Sequence, residues 1–240
     1  MDFLYPIQSY TDPHLICDQR VMRNMLNIEN TVKRMEPKIT IDTRQVLIEW
    51  MFEVCMSYQM NFEVFFLSVH YMDSFLSNSF LEKSRLQSLS CACLLLSSKY
   101  INSTKFLTTR DLVWLTENSS NISTILQFET SILNSLQWQL STPTVNTFID
   151  HICASNQLIN SQPYHIQGNI KTKAIDIAYK SFKKCHLVIF KYSLIAVSSI
   201  YLSSQLSNIS NTHDILMQMC EQVMCNEKDI LHCSNVLKNK

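Results

Sequence analysis

Glycine is almost absent from this chain, and its absence limits the folds that the chain can adopt. Gly168 is the one glycine among 240 residues, whereas glycine makes up roughly 7% of an average protein. Glycine-rich phosphate loops and tight β-hairpins use backbone conformations with positive φ, which glycine adopts at the lowest cost. The sequence therefore excludes a dinucleotide-binding fingerprint and a phosphate-binding loop, and it disfavours a sheet made of hairpins.

Proline is also rare, and its positions leave two long blocks without a helix breaker. Neither proline nor glycine occurs from residue 38 to 142 or from residue 169 to 240. Long segments without breakers, in which apolar residues recur at helical spacing, predict an all-α fold. Pro143 marks the junction between the two sets of predicted helices.

The apolar spacing predicts one N-terminal helix followed by two sets of five helices. The N-terminal helix is predicted at 16–29, within a segment of residues 1–40. A first domain of residues 41–140 has helices predicted at 41–58, 62–77, 83–100, 107–117 and 122–137. A second, divergent domain of residues 141–240 has helices predicted at 144–156, 168–183, 190–206, 212–223 and 226–238.

The charge balance bears on the class of partner. Twenty basic residues balance twenty acidic ones, so the net charge is zero, and 46% of the residues are hydrophobic. A neutral chain with a sizeable core is not attracted by bulk charge to a nucleic-acid backbone or an acidic membrane. We therefore expect neither nucleic acid nor a membrane as a partner, and no apolar run approaches the ~18 residues of a membrane span.

Nine cysteines raise the question of disulfides or a metal site. Met1–Tyr10 has no basic region leading into an apolar run, so we expect no export and reduced thiols. Four cysteines in apolar segments are predicted to fill the core: Cys55, Cys91, Cys93 and Cys153. The best candidate metal ligands are Cys220, Cys225, His232 and Cys233. Their spacing matches no common zinc pattern, so we expect no bound metal.

The chain shows no arrangement of residues typical of catalysis. It has no nucleophile elbow, no His-Glu-x-x-His motif and no carboxylates paired at a matched spacing. We therefore expect no cofactor and no enzymatic activity of the chain on its own.

Two charged residues lie where the apolar pattern predicts burial. Lys99 ends the most apolar helix, where a cation favours the helix dipole. Glu129 lies within the stripe of Ile125 and Ile132, and a buried carboxylate needs a partner. That partner is either a basic side chain of the same fold or the backbone of another protein, and the pattern does not choose between them.

The helix predicted at 41–58 is apolar on more than one face. Ile48 and Phe52 add a second strip beside the main stripe. The main stripe consists of Val46, Leu47, Trp50, Met51, Val54, Cys55 and Tyr58. Such a helix is either central to the core or leaves a groove exposed for a partner.

Six ordered stretches match one family at the spacing usual for it. They are Arg44–Cys55 (RQVLIEWMFEVC), Tyr71–Ser77 (YMDSFLS), Lys83–Gln87 (KSRLQ), Ser97–Lys99 (SSK), Gln127–Trp138 (QFETSILNSLQW) and Phe148–His151 (FIDH). The sequence resembles the cyclins, and the D-type (G1) cyclins most, well over residues 14–150 and weakly over 150–240. This resemblance implies two successive five-helix cyclin boxes behind an N-terminal helix.

The resemblance also implies a function and its residues. It implies a regulatory subunit that binds and activates a cyclin-dependent serine/threonine kinase of the G1 class and drives cell-cycle progression. Lys99 and Glu129 match the Lys/Glu pair with which the family binds the kinase. The residues that match the patch for Arg-x-Leu motifs of substrates and inhibitors are Val46, Leu47, Trp50, Glu53 and Gln87.

Departures from the family pattern weaken the expected docking of substrates. Thr43 stands where the family patch begins with Met, and Ser74 follows Asp73 where the family has Arg. The string Leu15–Gln19 has Gln19 where the Leu-x-Cys-x-Glu motif for retinoblastoma-type proteins has Glu. We interpret that string as part of the N-terminal helix, and we expect Arg-x-Leu docking to be weak.

The compact form of the sequence bears on its origin. It stops just after the second predicted box, without a Pro/Ser/Thr-rich tail, and in this it resembles the cyclins of gammaherpesviruses. We expect a viral mimic of a D-type cyclin, acting in the nucleus and cytoplasm of a host cell. An unusual cellular D-type cyclin and a transcription-type cyclin-fold adaptor remain as alternatives.

Overall fold

The structure of the protein, a computed structural model, describes residues 18–32, 36–101, 107–117, 119–183, 190–209 and 211–238. Within these residues the regular structure is entirely helical, with no β-strand. The helices are α1 (Gln19–Thr31), α2 (Ile41–Ser57), α3 (Phe62–Asn78), a 3₁₀-turn (Lys83–Arg85), α4 (Leu86–Tyr100), α5 (Thr109–Leu115), α6 (Ile122–Ser135), α7 (Val145–Ser155), α8 (Gln157–Asn160), α9 (Tyr164–Phe182), α10 (Tyr192–Leu206), α11 (Thr212–Val223) and α12 (Glu227–Lys238). The all-α class is confirmed. None of the described helices is both long and apolar enough to cross a bilayer.

The described residues form two compact units. Unit one holds α2 to α6, in residues 36–101, 107–117, 119–144, 182 and 183. Unit two holds α1, α7, α8, α9 through Ser181, and α10 to α12, in residues 18–32, 145–181, 190–209 and 211–238. Each unit therefore contains one of the two predicted sets of five helices, and unit two adds α1 and the short α8.

One helix boundary of unit two differs from the prediction, and one short helix was not predicted. Helix α9 begins at Tyr164, directly after Pro163, rather than at residue 168. Proline fits the start of a helix because its missing N–H is not needed there. The one-turn helix α8 was not predicted, and the Asn156 side chain caps it by accepting from the Ile159 N–H at 3.0 Å.

Each unit is built around one central helix with many buried serines. In unit one α4 packs against α3 and α6, and in unit two α10 packs against α7, α11 and α12. In α4 the Ser98 hydroxyl donates to the carbonyl of Leu95 at 2.9 Å, and in α10 Ser203 donates likewise to Ile200 at 2.8 Å. Because these hydroxyls bind the backbone of their own helix, they can be buried without leaving an unpaired polar group.

The N-terminal helix α1 is held in unit two by a buried carboxylate. Glu29 accepts from the Ser193 N–H at 2.9 Å and from the Ser193 hydroxyl at 2.5 Å, at the N-terminus of α10. A carboxylate there satisfies unpaired N–H groups and faces the positive end of the helix dipole. Helix α1 starts at Gln19 behind the N-cap Asp18, while the earlier residues of its predicted range lie outside the described residues.

The scarcity of glycine is visible at turns that follow helices. Six non-glycine residues adopt positive φ between 50° and 63°, namely Gln59, Glu117, Gln137, Trp138, Asn208 and Met224. This conformation costs an ordinary residue roughly 1–2 kcal/mol, and glycine would adopt it at little cost. The chain therefore ends several helices with exposed residues in a strained backbone conformation.

A buried arginine joins three segments of unit one. Arg44, on α2, is almost fully buried, and its guanidinium donates to both carboxylate oxygens of Asp73 on α3, at 2.8 and 2.7 Å. Another N–H of the same guanidinium donates to the backbone carbonyl of Phe182 at 2.6 Å. Because a buried charge is tolerated only when it is paired, this contact fixes the rotation of α2 about its axis.

We expect Arg44→Leu to lower the free energy of unfolding by about 3–5 kcal/mol, because it leaves the mostly buried Asp73 carboxylate without its counter-charge. Urea denaturation would measure the loss, with the exposed Arg110→Leu in the same unit as a control. Adding Asp73→Leu to Arg44→Leu should recover part of the stability. A loss no larger than that of Arg110→Leu would contradict the prediction.

Candidate functional site

Lys99 and Glu129 meet at one edge of unit one. The Lys99 Nζ lies 2.8 and 3.0 Å from the two carboxylate oxygens of Glu129. The Lys99 side chain is 47% exposed, and the Glu129 side chain is 13% exposed. The structure therefore brings the two predicted residues together, and in the isolated chain Lys99 is the basic partner that Glu129 needs.

The position of the pair follows from helix geometry. Helix α4 is buried continuously from Ser88 to Ser98, and Lys99 is the first exposed residue after that run. On α6, Ile125 and Ile132 are fully buried, and Glu129 lies between them on the side facing α4. The end of a buried helix thus places a cation beside the carboxylate at the rim of the core.

The ion pair keeps hydrogen-bonding capacity for another molecule. An ammonium group has three donors, and each carboxylate oxygen can accept two hydrogen bonds. With Nζ bound to both oxygens, one N–H of Lys99 and one lone pair of each Glu129 oxygen remain free of this contact. A partner backbone can therefore bind both groups without separating them.

Three exposed apolar side chains lie on the two helices that carry this ion pair. Ile122 and Leu126 precede Glu129 by seven and three residues on α6, and both are about two-fifths exposed. Tyr100, next to Lys99, is 43% exposed. A charged pair between exposed apolar side chains on one rim is typical of a protein-binding surface.

A groove on unit one contains most of the predicted docking patch. Its volume is about 410 Å³, and its walls come from α2 and from the segment that enters α4. The lining residues are Asp42, Thr43, Val46, Leu47, Trp50, Lys83, Leu86 and Gln87. Val46 is 64% exposed, so α2 is not only a core helix and leaves a groove open.

The remaining docking residue lies on the same face of α2. Glu53 is exposed and is not among the residues lining the groove. It follows Val46 and Trp50 by seven and three residues, which places it on their side of the helix. Its carboxylate therefore extends the groove with a negative charge.

Thr43 makes one end of the groove polar. Its hydroxyl is bound to the Thr40 hydroxyl at 2.8 Å, and its N–H donates to the Thr40 side chain that caps α2. A threonine offers less apolar contact than the methionine usual in the family. Weak docking of Arg-x-Leu motifs therefore stays a prediction, and the polar Thr43 is its basis.

A second cavity, of about 560 Å³, lies in unit two and was not predicted. Helices α1, α7, α8 and α11 form it, and nine of its twelve lining residues are polar. His151 lines it, and burial lowers the pKa of this histidine while the Asp18 carboxylate acts in the opposite direction. The sequence pattern did not reveal this cavity, because its lining residues come from four separate segments of the chain.

The four cysteines predicted to fill the core are buried: Cys55, Cys91, Cys93 and Cys153. In the described ranges, no three or more His, Cys, Asp or Glu side chains are grouped so that they could hold a metal ion. His232 instead packs its ring against Phe190 at 5.8 Å between centroids.

Comparison with known proteins decides the family. Residues 16–141 match the family model described as "Cyclin, N-terminal domain". The chain belongs to the cyclin family. This cyclin is 31% identical over 235 residues to "G1/S-specific cyclin-D1" of Danio rerio, with 93% of this chain and 79% of the relative covered. With the Homo sapiens protein of the same name it shares 30% identity over 223 residues, covering 87% and 71%.

Solved structures show the same fold. A viral cyclin from herpesvirus saimiri superposes with a TM-score of 0.67 at 22% identity, covering 85% of this chain and 97% of the other. A chain of the CAK complex of Chaetomium thermophilum bound to ATP-γ-S gives a TM-score of 0.58 at 12% identity, covering 96% and 76%. The two tandem five-helix boxes implied by the resemblance are confirmed as the architecture of this cyclin.

Proposed function

We propose that this cyclin binds and activates a cyclin-dependent serine/threonine kinase of the G1 class and thereby promotes passage from G1 to S phase. The observation that carries the proposal is the partly exposed Lys99–Glu129 pair among apolar side chains on α4 and α6. The similarity to G1/S-specific cyclin-D1 over most of both chains supports the G1 class.

The proposal includes the origin and the location of the protein. We place it as a viral mimic of a D-type cyclin that acts in the nucleus and cytoplasm of the host cell. Its support is the fold shared with a herpesvirus cyclin, whose own identity to this chain is 22%. Localisation of the tagged protein in infected or transfected cells would test this part separately.

The central experiment combines the purified chain with purified G1-class kinases and measures phosphorylation of a retinoblastoma fragment. We expect phosphorylation with kinase and cyclin together, and no ATP turnover by the cyclin alone, because no catalytic arrangement is present in its sequence. Binding to a transcription-type kinase in place of the G1 kinases would favour the adaptor alternative. Steady ATP turnover by the isolated chain, lost on changing one residue, would contradict a purely regulatory role.

We expect Lys99→Ala and Glu129→Ala each to weaken kinase binding by about tenfold or more, because charge-assisted hydrogen bonds contribute roughly 1.5–3 kcal/mol each. Stability should fall by less than about 1 kcal/mol for Lys99→Ala, since a half-exposed ion pair is well screened. Titration with immobilised kinase and thermal unfolding would measure the two quantities on the same samples.

Two controls separate partner binding from a purely internal ion pair. Lys38→Ala and Glu82→Ala remove exposed charges of the same unit and should leave kinase affinity unchanged. The double change Lys99→Glu with Glu129→Lys restores an internal pair but exchanges its donor and acceptor. We expect normal stability with weak kinase binding from this variant, and normal binding by it would contradict the partner contact.

We expect Thr43→Met to strengthen binding of an Arg-x-Leu peptide, because the added thioether side chain can contribute roughly 1–3 kcal/mol of apolar contact. Fluorescence anisotropy with a labelled peptide would measure the gain, and Val46→Asp in the same groove should abolish binding. Equal affinity of the Thr43→Met variant and the unchanged chain would show that Thr43 does not limit docking.

A further inference from the structure

Two neighbouring serines attach the turn between α5 and α6 to the start of α4. The Ser120 hydroxyl lies 2.6 Å from the Ser88 hydroxyl, and both side chains are buried. One residue earlier, the exposed Ser119 donates its hydroxyl hydrogen to the Oε1 of Gln87 at 3.1 Å. The buried pair of hydroxyls anchors the turn, and the backbone therefore holds Ser119 beside Gln87.

Gln87 belongs to the docking groove, and Ser119 lies behind it. Gln87 is among the residues that line the groove, whereas Ser119 is not. The side-chain amide of Gln87 has an oxygen that accepts hydrogen bonds and an –NH₂ group that donates them. The oxygen is directed at Ser119, and no described residue accepts a hydrogen bond from the –NH₂ group. The –NH₂ group is therefore the end of the amide that is left for the groove.

An uncharged donor on the wall of an apolar groove recognises an uncharged acceptor. An extended peptide offers one at every residue, because each backbone carbonyl can accept a hydrogen bond. With the amide of Gln87 turned the other way, its oxygen would face that carbonyl, and two acceptors would meet without a hydrogen between them. An acceptor that is buried without a donor costs free energy, so the direction of this amide decides how well a peptide binds.

We propose that Ser119 is a positioning residue for the docking groove: it fixes the Gln87 amide so that Nε2 donates to a backbone carbonyl of the docked peptide. The inference rests on the docking function proposed above, and it adds which polar group of the peptide the groove recognises. A serine hydroxyl can donate or accept, and Ser119 donates. A side chain that only accepts at this position would reverse the amide.

Three replacements of Ser119 separate the donor from the rest of the side chain, with a labelled Arg-x-Leu peptide and fluorescence anisotropy as the assay. Ser119→Thr keeps the hydroxyl, and we expect its affinity to stay within about twofold of the unchanged chain. Ser119→Ala releases the amide and should weaken binding by about threefold or more. Ser119→Asp reverses the amide and should weaken binding by about tenfold or more, although its negative charge attracts the peptide arginine.

A matched control separates the reversed amide from the added charge. Ser131→Asp places the same carboxylate at an exposed position of α6 that does not line the groove. We expect it to leave the affinity for the peptide unchanged. Affinity of Ser119→Asp equal to or higher than that of Ser131→Asp would overturn the proposal.

Ester analogues of the peptide test whether Ser119 acts through a backbone carbonyl. Each analogue replaces one amide bond by an ester, whose carbonyl is the weaker acceptor. We expect one position where the ester weakens binding to the unchanged chain by about threefold or more but does not weaken binding to Ser119→Asp. If Ser119 only supported the shape of the turn, the two losses would be independent. Equal ester effects in both chains at every position would overturn the proposal.

The Gln87 amide can also be observed without any peptide, by NMR of the ¹⁵N-labelled full chain. Its –NH₂ signal is identified by its loss in Gln87→Glu. We expect a rigid amide on the ps–ns timescale in the unchanged chain and in Ser119→Thr, and a mobile one in Ser119→Ala. An equally rigid amide in Ser119→Ala would overturn the role of Ser119. Failure of the peptide to bind the unchanged chain would contradict the docking function instead, and the mobility of the amide would still decide the role of Ser119.

Discussion

The docking groove of unit one depends on the contacts that the Arg44 guanidinium makes. The guanidinium binds the Asp73 carboxylate of α3 and the Phe182 carbonyl, and it is almost fully buried. Because a buried guanidinium must have all its charge and hydrogen bonds satisfied, α2 has one allowed rotation. That rotation puts Ile48 in the core and leaves Val46 exposed, which opens the docking groove.

The proposed kinase surface depends on a different constraint, which is the burial of α4. This helix is apolar or small almost throughout, and three of its four serines donate to carbonyls of their own helix, so α3 and α6 can pack closely on it. Lys99 is placed at the point where burial ends, and α6 brings Glu129 within 2.8 Å of it. The core of unit one therefore positions the charged pair without any loop.

The lack of glycine determines how several helices of this chain end. A chain with one glycine must make its helix-terminating turns from residues that adopt positive φ under strain, and Met224 is one of them. At Met224 the chain folds back, and the Cys225 N–H donates to the Cys220 carbonyl at 3.2 Å. This backbone hydrogen bond ends α11 without a glycine.

The sequence alone predicted the all-α class, the two sets of five helices and the placement of Lys99 and Glu129 at predicted buried positions, because helical periodicity and breaker positions are local properties. The start of α9 was predicted four residues too late. Helix α8 was missed because one helical turn, held by the Asn156 cap, has too few residues to show a helical period. The partner of Asp73 was also missed, since Arg44 precedes it by 29 positions. Only the tertiary structure decided that pairing, the exposure of Val46, the Lys99–Glu129 contact and the cavity of unit two. Each of these joins residues from separate helices, and the packing that brings them together is not encoded in any one segment.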